Sequence, residues 1–151
     1  MKLSAFRHLA FAAFLLLGCF RAAAADTPWL TDYTQALQQA KAENRNVLLD
    51  FTGSDWCPVC IQMEKEVFNT PQFRDYAAKN LVLLRLDFPV SKPIPAKLKE
   101  QNDHLVDAYG VGDFFPVFIL ADPSGKVLIR NVGHVDGGPS GFIAMLQGKK
   151  A

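Results

Sequence analysis

The chain has 151 residues, with 16 Lys+Arg against 15 Asp+Glu and a formal net charge of +1. That balance lacks the clustered basic charge of a nucleic-acid surface, so no nucleic-acid partner is expected. The length suits one domain around one core, and three cysteines are too few for a fold stapled by disulfides.

Residues 1–25 run from Lys2 and Arg7 through the apolar LAFAAFLLLGCF to the small residues Ala22 to Ala25. A basic start, a short apolar stretch and a small-residue end are the build of a secretory signal peptide, which places cleavage near Ala25 and the folded domain over 26–151. A membrane anchor is the rival reading, but the apolar run is short for a bilayer and Arg21 follows it directly. LLGC at 16–19 also resembles a bacterial lipoprotein signal, with Leu17 an imperfect fit. On that route Cys19 would be lipidated, the one case in which a membrane contact is expected. Either route implies export, to the bacterial periplasm, where disulfides persist. Cleaved near Ala25, the exported chain holds two cysteines, Cys57 and Cys60.

TDYTQALQQAKAENR (31–45) places Tyr33, Leu37 and Ala40 on one helical face, with Thr31 or Asp32 as the cap. NVLLDF (46–51) is a short, nearly continuous apolar run, as expected of a strand buried on both faces. TGSDWC (52–57) is a loop, and Pro58 then suits the first turn of a helix, where its missing N–H costs nothing. That helix carries Cys60, Met63 and Val67 inward and turns Glu64, Lys65 and Glu66 to water. NTPQF interrupts it: Asn69 or Thr70 caps a second helical piece that Pro71 starts and that reaches about Lys79.

LVLLRLDF (81–88) is the next strand, and prolines 89, 93 and 95 make the following connection irregular. Residues 96–109 read as a helix leaving through Gly110. FPVFILA (115–121) and KVLIRNV (126–132) are two strands joined by the turn DPSG, a hairpin. PSGFIAML (139–146) is a closing helix. Helices alternating with strands and then a terminal hairpin imply a mixed sheet covered by helices on both faces; a monomer is expected.

Chemistry in such sheets sits where a strand's carboxyl end meets the next helix, and Cys57 falls there. A thiol at a helix start faces unpaired backbone N–H groups and the positive end of the dipole, so its thiolate is stabilised and Cys57 is the expected nucleophile. Cys60, one turn inside, is placed to attack a mixed disulfide formed at Cys57. Other sulfur chemistry is poorly supplied. A structural zinc site needs four ligands, and His104 and His134 stand at no ligand spacing. Covalent haem needs a histidine directly after the second cysteine, where Ile61 stands. A static disulfide closing so short a loop constrains the unfolded chain little. A Cu(I) site from Cys57, Cys60 and Met63 stays open as the alternative, in which the domain is a binding module without redox turnover.

LLDFTGSDWCPVC, the later YGVGDFFPVF and NVGH together resemble the thioredoxin superfamily over residues 30–147. Within it, WCPVCIQMEKEVF followed by NTPQF is similar to the C-terminal domain of the bacterial transmembrane thiol-disulfide interchange protein. The resemblance implies an α/β fold, a three-layer α/β/α sandwich with a mixed sheet and terminal hairpin, and a thiol-disulfide oxidoreductase exchanging its Cys57–Cys60 pair with protein thiols and disulfides. It needs no cofactor, because the sulfurs carry the electrons, and its redox partner would be a membrane electron donor or acceptor.

The resemblance also implies that Trp56 shields one side of the sulfurs and that Pro116 follows a cis bond. The Phe115 backbone would then be free to pair with substrate, Asp50 would move a proton at Cys60, and Gly133 would lie near the site. His104 and His134 are expected in surface or structural roles. FTGSD is one residue longer than the usual loop before the tryptophan, and so is the stretch from Tyr109 to Pro116. Pro-Val between the cysteines is neither the Gly-Pro of reducing thioredoxins nor the Pro-His of the strongly oxidising periplasmic enzyme. Val59 offers the Cys57 thiolate no hydrogen bond, so a potential of ~−270 to −120 mV is expected.

Overall fold

The computed structural model describes residues 27–149. The expected signal peptide, the Cys19 site and the domain start at residue 26 lie outside them.

Helix α1 (Tyr33–Glu43) is capped by Asp32, whose carboxylate accepts the Gln35 N–H at 2.8 Å. It ends at Asn44 in the left-handed region, φ 51°, which turns the chain straight into strand β1 (Asn46–Thr52). Strand β2 (Leu81–Asp87) pairs parallel with β1, strand β3 (Val117–Ala121) pairs antiparallel with β1, and β4 (Val127–Val132) pairs antiparallel with β3. The order is β2-β1-β3-β4, so β1 is interior and covered on both faces.

Between β1 and β2 the chain crosses one face as α2 (Pro58–Met63), a π-helical turn (Glu64–Phe68) and α3 (Pro71–Asn80); α5 (Gly138–Leu146) packs on the same face. Helix α4 (Ala96–Ala108) joins α1 on the other. Two cores result. One gathers Ala36, Ala40 and Leu105 over Val47, Leu49 and Phe51, and the other gathers Met63, Val67, Phe73 and Phe142 over Leu48 and Phe118. Phe68, Phe118 and Phe142 meet edge to face, with ring centroids 5.1 to 5.6 Å apart.

The chain departs from the sequence reading in three places. The helix after Cys57 widens into the π turn before NTPQF, with the Asn69 N–H reaching back to the Glu64 carbonyl at 2.9 Å. The wider turn puts Val67 and Phe68 into the core together. Thr70 rather than Asn69 then caps α3, accepting the Phe73 N–H at 3.3 Å. Glu64, expected to face water, pairs with Arg85 of β2. Finally, a strand pairing not foreseen precedes α1: Leu30 pairs in parallel with the outer edge of β2, exchanging backbone bonds of 2.8 Å with Leu83 and Arg85, which covers an otherwise open edge.

Candidate redox-active site

Strand β1 ends at Thr52, and the next five residues turn the chain into α2. The Trp56 and Cys57 N–H groups both point to the Gly53 carbonyl, at 3.3 and 3.0 Å. Cys57 therefore occupies the cap position of α2, and its Sγ accepts the Cys60 N–H at 3.2 Å. Cys57 and Cys60 are joined in a disulfide with Cα atoms 5.2 Å apart, and each is only 4% exposed. The Gly53 N–H points at Cys60 Sγ from 3.5 Å. The sulfurs thus lie among backbone donors at a helix start, where a thiolate released by reduction is stabilised.

An aromatic rim stands beside them. The Trp56 ring packs closely on Gly53, donates its indole N–H to the Phe88 carbonyl at 2.7 Å, and meets Phe115 edge-on at 5.7 Å. Phe88 in turn packs against Phe115 at 5.3 Å. The Phe115–Pro116 peptide bond is cis, and the Pro116 carbonyl accepts the N–H of Gly133 at 2.8 Å. Gly133 has φ +83°, a region that glycine enters without the strain of a side chain.

Asp50 belongs to the face of β1 that α2 covers, since Leu48, two residues before it, packs with Met63 and Val67. Parallel register puts it beside Arg85, whose Nε lies 3.4 Å from Asp50 Oδ2. Burial raises the Asp50 pKa to about 7 against the opposing pull of the Arg85 guanidinium, with the carboxylates of Glu64 and Asp87 adding to the rise. Asp50 Oδ1 and Arg85 Nε have no hydrogen-bond partner among the described residues. Arg85 is held elsewhere, by Glu64 and by the Trp29 ring 4.3 Å beneath its guanidinium. A cavity of about 320 Å³ lined by Thr52, Cys60, Glu64, Lys65 and Arg85 brings the Glu64–Arg85 pair, the charged neighbours of Asp50, to the inner sulfur. A carboxyl titrating near 7, as Asp50 does, can take up or release a proton at neutral pH.

A family description, thioredoxin-like, matches residues 28–123, well over half of the chain. The chain belongs to the thioredoxin-like family. This thioredoxin-like chain is 32% identical over 125 residues to the disulfide bond reductase DsbH of Chlamydia pneumoniae, covering 83% of itself and 74% of that relative. A solved DsbH oxidoreductase superimposes with a TM-score of 0.77 at 31% identity, over 88% of this chain and 90% of the other. The oxidised C-terminal domain of Neisseria meningitidis DsbD shares the fold, with a TM-score of 0.59 at 18% identity over 82% of this chain and all 100% of that one. The family, the named reductase relative and the bonded Cys57–Cys60 pair make the chain a thioredoxin-like thiol-disulfide oxidoreductase.

Of the residues singled out in the sequence, Cys57, Cys60, Trp56, Phe115 and Pro116 gather at one end of the thioredoxin-like sheet, and Asp50 lies beneath the helix face that carries Cys60. Met63, the third sulfur of the copper alternative, is fully buried in the phenylalanine-lined core. His104 is exposed on α4, and His134 stands between Asp136 and Glu66, at 3.2 and 3.6 Å.

Sequence reasoning missed a set of polar clasps. Asp55 accepts the Val90 and Ser91 N–H groups at 3.0 and 2.7 Å as well as the Ser91 hydroxyl, and the Ser91 hydroxyl in particular holds its pKa below the usual range. Ser54 donates its N–H and hydroxyl to Asp87 at 2.9 and 2.6 Å. The signal was present in the extra residue of FTGSD, an acid set in a tight loop, but its partners lie more than 30 residues away in the chain.

Proposed function

We propose that the chain is an exported oxidoreductase that exchanges its Cys57–Cys60 disulfide with the thiols and disulfides of other proteins. The observation that carries the reading is Cys57 at the cap of α2, bonded to Cys60 one turn behind and flanked by Trp56 and the Phe115–Pro116 turn. Working as a reductase, the Cys57 thiolate attacks a substrate disulfide, forms a mixed disulfide and expels one substrate sulfur as a thiolate. Cys60, losing its proton to Asp50, then attacks Cys57 Sγ, and the second substrate sulfur leaves as a thiolate; two electrons have passed to the substrate, whose thiolates take up protons from Asp50 and from water. Run backwards, the same steps oxidise a dithiol. Trp56 covers one side of the sulfurs, and the backbone at Phe115 and Pro116 receives an extended substrate segment.

Export is supported by the pattern of residues 1–25, with Cys19 as the lipid anchor on the second processing route. The sulfurs need no cofactor, and the pair is recharged by a membrane electron donor or acceptor. Insulin reduction coupled to glutathione tests the reading: Cys57→Ser abolishes turnover, while Cys60→Ala stalls as a mixed disulfide at Cys57 that non-reducing electrophoresis resolves. Turnover that persists in Cys57→Ser would overturn it.

A further inference from the structure

Beyond the aromatic rim lies a second cavity, of about 310 Å³, lined by Phe88, Pro89, Lys92, Pro93, Ile94 and Lys99. Its walls are apolar rings and aliphatic carbon, and both of its charges are positive. Prolines 89, 93 and 95 hold the backbone of this loop to few conformations, so the cavity exists before anything enters it.

Three clasps fasten the loop to the turn that carries Cys57. Ser54 holds Asp87, Asp55 holds the N–H groups of Val90 and Ser91, and Trp56 holds the Phe88 carbonyl. Phe88 is shared, lining the cavity on one side and packing on Phe115 at 5.3 Å on the other. The cavity therefore shares one ring with the aromatic rim beside the disulfide. Val90, in the same loop, is 74% exposed, a further apolar side chain open to solvent. Lys92 makes no ion pair among the described residues, and Lys99 pairs with Asp103 one helical turn on, at 2.6 Å.

We propose that this loop forms a side-chain subsite of the substrate groove, taking an apolar residue with an acidic neighbour from an extended segment of the partner protein while that segment's cysteine reacts at Cys57. The apolar walls take the aliphatic or aromatic side chain, and Lys92, assisted by Lys99, meets the carboxylate. The inference rests on the redox reading above and adds to it the chemistry of the preferred partner.

The test uses the full chain with Cys19→Ser throughout, reduced, and carrying Cys60→Ala so that Cys57 is the one thiol and the reaction stops at one step. Probes are short peptides whose single cysteine is a mixed disulfide with 4-thiopyridine. The Cys57 thiolate attacks the peptide sulfur, the Cys57–peptide bond forms, and 4-thiopyridine leaves, taking a proton from water and absorbing as it does so. Leucine or glycine is placed at successive distances from the cysteine, followed by glutamate or lysine.

One register is expected to favour leucine over glycine by about tenfold or more in second-order rate, the discrimination an apolar pocket supplies. Glutamate should beat lysine about two- to fivefold, an advantage that shrinks as salt rises. Ile94→Ser should erase the leucine preference and Lys92→Glu should reverse the charge preference. Each ratio is measured within one variant, so a partly destabilised variant still reports. Equal rates across the panel, or preferences unchanged in both variants, would overturn the subsite. The underlying redox reading is checked separately with uncharged 4,4′-dithiodipyridine on the chain with both cysteines: no release of thiopyridine by Cys57 there sinks that reading, whereas normal release beside a flat peptide panel sinks the subsite alone.

Discussion

Asp50 stands where a core residue would ordinarily be, 2% exposed on an interior strand, and burial raises its pKa to about 7. The sign of the linkage follows. A folded-state pKa above the unfolded one means that the folded chain holds the proton more tightly, so the contribution is fully present below pH 4 and is lost as pH rises through about 7. Asp50→Asn should therefore stabilise the oxidised protein at pH 8, by up to about 4 kcal/mol, and do little at pH 3, as read from urea midpoints at the two pH values. On the proposed role of Asp50 as the proton acceptor of Cys60, the same substitution should slow release of substrate from the mixed disulfide. Arg85 pulls the other way. Replacing it with Met should move the inflexion in the pH profile of that release upward by about one unit, and Arg85→Lys should restore most of it. An unmoved inflexion would mean that Arg85 serves only to anchor Glu64 and Trp29.

The turn from β1 into α2 is built as closely as a core. At Gly53 an added Cβ would come within 2.4 Å of the Trp56 ring, and that ring is held by Phe88 and Phe115. Gly53→Ala should push the indole outward, with a cost of about 1–3 kcal/mol, a change in tryptophan fluorescence and a fall in turnover of protein substrates. This element was partly legible beforehand. Pro58 after a cysteine, with apolar residues at helical spacing behind it, marks a helix start wherever it occurs, because capping and the fixed proline φ act within a few residues. The π turn was not legible: its sequence reads as ordinary helix, and it forms because the aromatic cluster takes Phe68 as well as Val67. The partners of Asp55 were hidden too, since a loop acid can satisfy any nearby N–H and only the returning chain says which.

Across the whole molecule, the sheet separates two cores of different texture. The face that carries α2 is dominated by Phe68, Phe73, Phe118 and Phe142, and Phe142 is fully buried against the other three, at 5.3, 5.8 and 5.1 Å. Phe142→Ala should cost about 3–5 kcal/mol, a large share of a domain's total stability, visible as a lowered urea midpoint. Since α5 and the π turn rest on that cluster, the loss should also loosen the helix that positions Cys60. The sequence alone determined the order of helices and strands, the two-sided burial of β1 and the place of the cysteine pair at a strand-to-helix junction, because periodicity, capping and proline geometry are local. Only the tertiary structure decided that Arg85 would stand beside Asp50, that Trp29 would lie under Arg85, and that Asp55 would clasp the proline-rich loop to the redox turn. Those depend on strand register and on how distant segments pack together, which no short stretch of residues specifies.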